Sequence, residues 1–208
     1  MVEFCQEYNL PYDVCGKVIV ATKENELPLL ENLFKRGQQN GLSVKKLAAE
    51  EVWKYEPYVK CLAGIHVPTA GIVDYKKVCQ KYAELIELQG GELRFSHCVQ
   101  GIKTLTNSHE IETNQGYFST KFLINCGGLQ SDRLARMAGI KTTAKIVPFR
   151  GEYYELKPEK RYLVKGLIYP VPNPDFPFLG VHFTRMIDGS IHAGPNAVLS
   201  LKREGYTK

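Results

Sequence analysis

Apolar residues along this chain come in short patches whose spacing changes from element to element. VEFCQEY (2–8) has the spacing of a helix end, and GKVIVAT (16–22) follows as a β-branched run that predicts a strand. From Glu24 to Gln39 the period lengthens. Leu30, Leu33 and Phe34 form one helical stripe, Pro28 fits its first turn, and Gly41 stops it. A short helix over Ala48 to Tyr55, ended by Pro57, and a strand at GIHVP (64–68) come next. Asp74 is placed to cap a helix running to about Gln89, with Val78, Tyr82, Leu85 and Ile86 on one face and Gly90-Gly91 behind it. ELRFSHCVQGI predicts one or two strands. EIETN, a turn near Gln115-Gly116 and YFSTKFLINC predict a hairpin feeding a buried strand, Phe122 to Cys126. Gly127-Gly128 then leads into a helix, Ser131 to Met137, with Gly139 as its stop. From Val147 onward PFRGEYYEL, RYLVKGLIYPVP and FPFLGVHFTRMIDGSIHAGPNAV alternate in the manner of antiparallel strands, with a hairpin turn at Asp188-Gly189.

The pattern is α/β in the middle and mainly β toward the C-terminal end, and 208 residues with 44% hydrophobic side chains suffice for a real core. Lysine and arginine total 27 against 22 acidic residues. The resulting +5 charge suits an anionic ligand but lacks the dense basic patch of a nucleic-acid binder. The longest apolar runs, such as Val18 to Ala21, are far too short for a membrane span, and no targeting segment is visible at the N-terminus. Six cysteines form no CxxC pair. Cys79 and Cys126, inside apolar-periodic segments, are expected to be reduced core residues. No Cys/His spacing suits zinc, so no metal is expected.

Three segments could carry chemistry. A strand ending in Gly127-Gly128 lets backbone approach a pyrophosphate, and Ser131 could cap the next helix or bond an anion. The same residues also make an ordinary strand-to-helix turn. In FRGEYY, Arg150 can fork a carboxylate, or can pair with Glu152 on a solvated strand. In 176–197, alternation puts His182 and Thr184 on one strand face and Phe183 and Arg185 on the other. His182 could abstract a proton near neutral pH, or be a satisfied structural histidine. Gly194-Pro195-Asn196 is expected in a loop, where Asn196 could donate to a ligand oxygen. His66, Gly71 and Asp74 look structural.

Several blocks taken together carry a resemblance: GIVDYKKVCQKYAELIELQGGELRFSHCVQGI, FLINCGGLQSDRLARMAG, IVPFRGEYYELKPEK, LIYPVPNPDFPFLGVHFTR and IDGSIHAGPNAVLSLKREGY, in that order. They resemble the FAD-dependent, D-amino-acid-oxidase-like oxidoreductases over essentially the whole chain, and within that family the group that oxidises L-2-hydroxyglutarate. The family's opening GxGxxG turn, which grips the FAD diphosphate, is absent from this sequence, as is its C-terminal Gly-rich return. The chain therefore resembles an internal portion of such an enzyme, and the 208 residues alone are expected to bind FAD weakly or not at all and not to turn over.

The resemblance implies a mixed α/β and α+β fold, a partial FAD-binding domain joined to an antiparallel β-rich substrate domain. Residues 1–70 and 144–208 would be substrate-domain segments and 71–143 the central part of the FAD domain. It implies oxidation of L-2-hydroxyglutarate to 2-oxoglutarate in the complete enzyme, with FAD as cofactor. His182, Arg185 and Arg150 are the catalytic candidates: His182 as base or hydroxyl partner, the arginines as carboxylate holders. Tyr169 and Asn196 are candidate substrate donors. Val99 resembles the position whose backbone meets the adenine end, and Gly127, Gly128 and Ser131 the turn near the diphosphate. The implied partners are a dicarboxylate and an electron acceptor the sequence does not identify, with no nucleic acid and peripheral membrane association left open. The animal-like members imply a mitochondrial location. Two other readings stay open: a flavin amine or amino acid oxidase of the same superfamily, and a binding module without catalysis.

Overall fold

The computed structural model describes residues 1–176 and 178–206. In chain order the elements are α1 (Val2–Glu7), β1 (Tyr12–Asp13), β2 (Lys17–Ala21), α2 (Leu27–Gln39), β3 (Lys45–Ala48), α3 (Ala49–Tyr55), β4 (Ala63–Val67), β5 (Ile72–Val73) and α4 (Tyr75–Leu88). They continue with β6 (Val99–Thr104), β7 (His109–Thr113), β8 (Gly116–Thr120), α5 (Ser131–Met137), β9 (Phe149–Glu155), β10 (Leu167–Pro170), β11 (His182–Arg185) and β12 (Ile191–Leu199). The architecture is mixed α/β, as expected. The chain forms two compact units, each discontinuous: Met1–Leu85 with Gly151–Ala197, and Ile86–Arg150 with Val198–Lys208.

The first unit is built on a seven-stranded sheet in the order β3-β4-β2-β10-β11-β12-β9. Its inner strand β2 is apolar on both sides, and this gives the sheet two packed faces. Val18 and Val20 join Leu47, Val52, Val164, Ile168 and Ile191 on one face. Ala21, Leu30, Ile65 and Val171 form the core of the other, with Ile19, Leu33 and Phe34 packed against them. The stripe predicted on α2 is thus the stripe that is buried. Pro28 sits in the first turn of α2, where its missing N–H leaves no helical bond unmade. Lys77 N–H donates to Asp74 Oδ1 at 3.1 Å, the cap expected for α4. Gly189 takes φ +82° in the β11–β12 turn.

The pairing differs from the expected antiparallel C-terminal half at one place. β10 runs parallel to β2, with Leu167 opposite Lys17 and Tyr169 opposite Ile19. A parallel neighbour cannot be read from local alternation, because its partner lies some 150 residues earlier in the chain. The RYLV segment is also not strand. Pro158–Leu163 is a 3-10 helix, started by the proline. Gly194, Pro195 and Asn196 lie inside β12, not in a loop. A Cβ on Gly194 would stand 2.8 Å from the Glu152 carbonyl oxygen, so that strand position requires glycine.

A buried polar contact ties the first unit together. Glu56, 3% exposed at the end of α3, accepts N–H bonds from Lys165 (2.9 Å to Oε2) and Gly166 (2.7 Å to Oε1). These are the residues that lead into β10. One carboxylate therefore satisfies two backbone donors that have turned inward before the strand ladder begins.

The second unit holds the β6-β7-β8 antiparallel meander and α5. The one or two strands expected over ELRFSHCVQGI are one, β6, which begins at Val99; a second expectation fails, since Phe122 to Cys126 form no strand. Phe122 and Ile124 are 85% and 84% exposed. An apolar run becomes a buried strand only when another strand takes up its backbone groups, and none of the described residues does so here. For the same reason Cys126 is exposed and not a core residue. Cys79 is exposed too, because it lies beside Val78 on α4 and only Val78 turns inward. All six cysteines are free.

Candidate functional site

In the first unit, strand alternation sorts the candidate residues between the two sheet faces. Phe183 packs against the cluster containing Val18 and Ile168. His182 and Thr184 therefore share the opposite face with Tyr169, which lies between Ile168 and Pro170. The rings of Tyr169 and His182 are stacked, with centroids 4.1 Å apart and planes 21° from parallel. The Lys17 Nζ lies 4.8 Å from the centroid of the same tyrosine. Since β10 runs between β2 and β11, Tyr169 stands between the lysine and the histidine.

His182 is 8% exposed, and its Nδ1 lies 3.0 Å from the Gly180 carbonyl oxygen. A carbonyl can only accept, so Nδ1 carries the proton and the Nε2 lone pair is left to act as a base. Next to this row is a cavity of about 440 Å³, lined by Leu167, Tyr169, Thr184, Met186, Ile187 and the Gly71–Lys76 segment. That volume is in the range of small-molecule sites.

The remaining first-unit candidates are not in this row. Arg185 projects on the Phe183 side and is ion-paired and hydrogen-bonded to Asp13. The Asp13 contact, outweighing burial, raises the already high guanidinium pKa. Asn196 is held by Glu152: its Oδ1 accepts from the Glu152 N–H (2.9 Å) and its Nδ2 donates to the Glu152 carboxylate (3.1 Å). Arg150 is half-buried in β9 and falls in the second unit. The sequence reading passed over Lys17. The available signal was its place in β2: it alternates with Val18 and so shares a face with Ile19 and Ala21, where a charge is unexpected.

In the second unit, a cavity of about 350 Å³ is lined by the meander, by the 123–126 segment and by α5. A β-bulge between Val99 and Gly101 shifts the strand parity by one, which brings Val99 onto the cavity face with Ile102 and Thr104. Gly128 has φ +48°, with open space where a Cβ would stand. The neighbouring polar groups serve the turn itself. Gly127 N–H donates to Asn125 Oδ1 (3.0 Å), and Ser131 Oγ donates to the Gly128 carbonyl (2.7 Å). Val99 stands in the wall of this largely apolar chamber. In the Gly127–Ser131 turn the Gly127 N–H and the Ser131 hydroxyl are thus engaged within the turn itself.

A second feature that the sequence did not reveal is the carboxylate of Asp132, which accepts from Arg203 (3.1 Å) and Arg136 (3.0 Å). Arg203 also donates to the carbonyls of Leu129 and Ile146. Burial alone would raise the Asp132 pKa. The Arg203 hydrogen bond, the Ile146 N–H and the two guanidinium charges more than reverse this, and the group titrates below its ordinary value. A depressed folded-state pKa contributes stability above the unfolded carboxylate value, and that stability is lost as pH falls through the folded one. Hydrogen exchange should therefore show α5 amides losing protection on acidification, with Asp132→Asn flattening that dependence. An unchanged profile in the variant would assign the acid response elsewhere.

The family model described as FAD dependent oxidoreductase matches residues 1–206. Among curated proteins, L-2-hydroxyglutarate dehydrogenase of Indibacter alkaliphilus is 52% identical over 210 residues, 100% of this chain and 53% of its own length. The Escherichia coli K12 protein of the same name is 45% identical, covering 99% of this chain and 49% of its own. The human mitochondrial one is 43% identical, with 99% and 47% covered. The chain thus spans about half the length of the curated relatives it matches. Among solved structures, FAD-bound L-α-glycerophosphate oxidase from Mycoplasma pneumoniae superposes with a TM-score of 0.84 at 24% identity, over 100% of this chain and 57% of that one. L-Proline dehydrogenase from P. horikoshii gives 0.82 at 20%, covering 95% and 53%. At these identities the structural likenesses establish the fold.

Proposed function

From the premise that this chain belongs to the FAD dependent oxidoreductase family, we propose that its residues serve the oxidation of L-2-hydroxyglutarate to 2-oxoglutarate in a flavoprotein of the relatives' length. The observation that carries this reading is the His182–Tyr169 stack beside the 440 Å³ cavity. It puts an imidazole with a free Nε2 lone pair on the same sheet face as a chamber large enough for a five-carbon acid. FAD, when bound, would supply the two-electron oxidation. Val99 and the apolar wall around Cys126 and Leu134 would hold the adenine end.

The protein's own part in the reaction is binding and proton transfer. His182 Nε2 receives the hydroxyl proton as the carbonyl forms. The Gly180 carbonyl fixes the histidine tautomer, and its partial negative charge stabilises the imidazolium that results. The Tyr169 ring fixes the imidazole plane, and Thr184 offers a hydroxyl to the substrate from the cavity wall. Arg185 is already neutralised by Asp13, which leaves it a supporting role. A mitochondrial location rests on the names of the animal relatives, and the bacterial relatives carry no such address.

The experiment is a chimera in which this chain replaces the segment it aligns with in the Indibacter relative. The expected result is a flavin-loaded protein that oxidises L-2-hydroxyglutarate and leaves the D enantiomer untouched. A folded, flavin-loaded chimera inert toward the L acid would overturn the proposal.

A further inference from the structure

Lys17 is half-buried at the start of the inner strand β2, and among the described residues no carboxylate pairs with it. Burial draws its ammonium below the ordinary lysine range, as expected of a charge removed from water without a counter-ion. Its recorded neighbours on that face are Leu167, opposite it in the parallel ladder, Val67, opposite it in the β4 ladder, and the Tyr169 ring. Leu167 and Tyr169 line the 440 Å³ cavity. An uncompensated cation beside two residues that line a chamber is poised for an anion.

We propose that Lys17 selects dicarboxylates at this site: its ammonium holds the carboxylate remote from the substrate hydroxyl, at a distance set by the intervening Tyr169 ring. This rests on the reading that places the hydroxyl at His182. With the hydroxyl there, the carboxylate on the adjacent carbon lies too near the histidine to reach across a phenol ring. The carboxylate two methylenes further along the acid can do so. Lysine suits the task as a compact point charge on a flexible stem, and the ring face beneath it offsets part of its lost hydration.

The test uses glutarate, an inert dicarboxylate, added to the 208-residue chain labelled for NMR at its lysine and histidine side chains. Glutarate should shift both the Lys17 and His182 signals, and the monocarboxylate butyrate should do so far less. Lys17→Met keeps the stem and loses the charge, and should weaken glutarate binding about 10- to 100-fold. Lys17→Arg should retain most of it, and thermal melts of both variants check folding. In the chimera, Lys17→Met should raise KM for L-2-hydroxyglutarate by a similar factor and leave L-2-hydroxybutyrate unaffected. Glutarate affinity unchanged in Lys17→Met, or no glutarate binding by the parent chain, overturns the assignment. Charge-dependent glutarate binding without turnover by the chimera would leave Lys17 as a carboxylate site and remove the hydroxyacid reaction instead.

Discussion

Replacing His182 with alanine in the chimera should lower kcat for L-2-hydroxyglutarate by roughly 10²- to 10⁴-fold, the usual contribution of a positioned general base. KM should move little, by about threefold or less, because the proposed carboxylate contact lies with Lys17 and not with the histidine. The structural basis is the Nδ1 contact to the Gly180 carbonyl, which leaves Nε2 as the one ring nitrogen able to accept a proton. His182→Gln is the useful companion. Its side-chain amide can still donate to Gly180 and fill much of the space against Tyr169, but it cannot take up a proton. Added imidazole should restore part of the rate to His182→Ala. Turnover within a few fold of the parent in both would remove His182 from the chemistry and return it to a structural role.

The largest effect on stability should come from Glu56. Alanine there leaves the N–H groups of Lys165 and Gly166 facing a void in a region where Glu56 itself is 3% exposed. Each orphaned donor costs about 1–3 kcal/mol, so denaturant unfolding of Glu56→Ala should show a loss of about 2–6 kcal/mol. Glu56→Gln should fall between: its carbonyl satisfies one donor, and its NH2 group is left facing the other. The pH dependence has a definite sign. Burial, the dominant influence, raises the Glu56 pKa despite the two backbone hydrogen bonds and the nearby Lys165 and Arg185 charges. A group whose folded pKa is raised contributes stability below its unfolded pKa, and this is lost as pH rises through the folded value. The parent should therefore lose stability relative to Glu56→Gln as pH climbs from about 4 through the raised value. Equal midpoints for parent and Glu56→Ala at every pH would mean that the Lys165–Gly166 donors find other partners.

Local spacing was enough to place most elements. The α2 stripe of Leu30, Leu33 and Phe34, the Asp74 cap and the Asp188-Gly189 turn all depend on residues a few positions apart, and those interactions are nearly complete within a short window. The His182/Thr184 against Phe183/Arg185 division likewise follows from strand alternation and is what the sheet shows. Quoted blocks of sequence also carried the family resemblance, because they preserve many side chains at once.

What spacing could not supply was partnership across long separations. Phe122 to Cys126 has a strand's composition but no neighbouring strand among the described residues, so its apolar side chains remain exposed. Asn196 and Arg185, attractive as free polar groups in the linear sequence, are engaged by Glu152, 44 positions away, and by Asp13, 172 positions away. Lys17 gains its setting only from β10, which lies parallel beside it and brings Tyr169 beneath its ammonium. The sequence by itself determined most of the elements, the alternation of faces along the strands that form, and the family. Only the tertiary structure decided which polar groups are already satisfied and which are left for a ligand, since that depends on what each side chain meets across the fold.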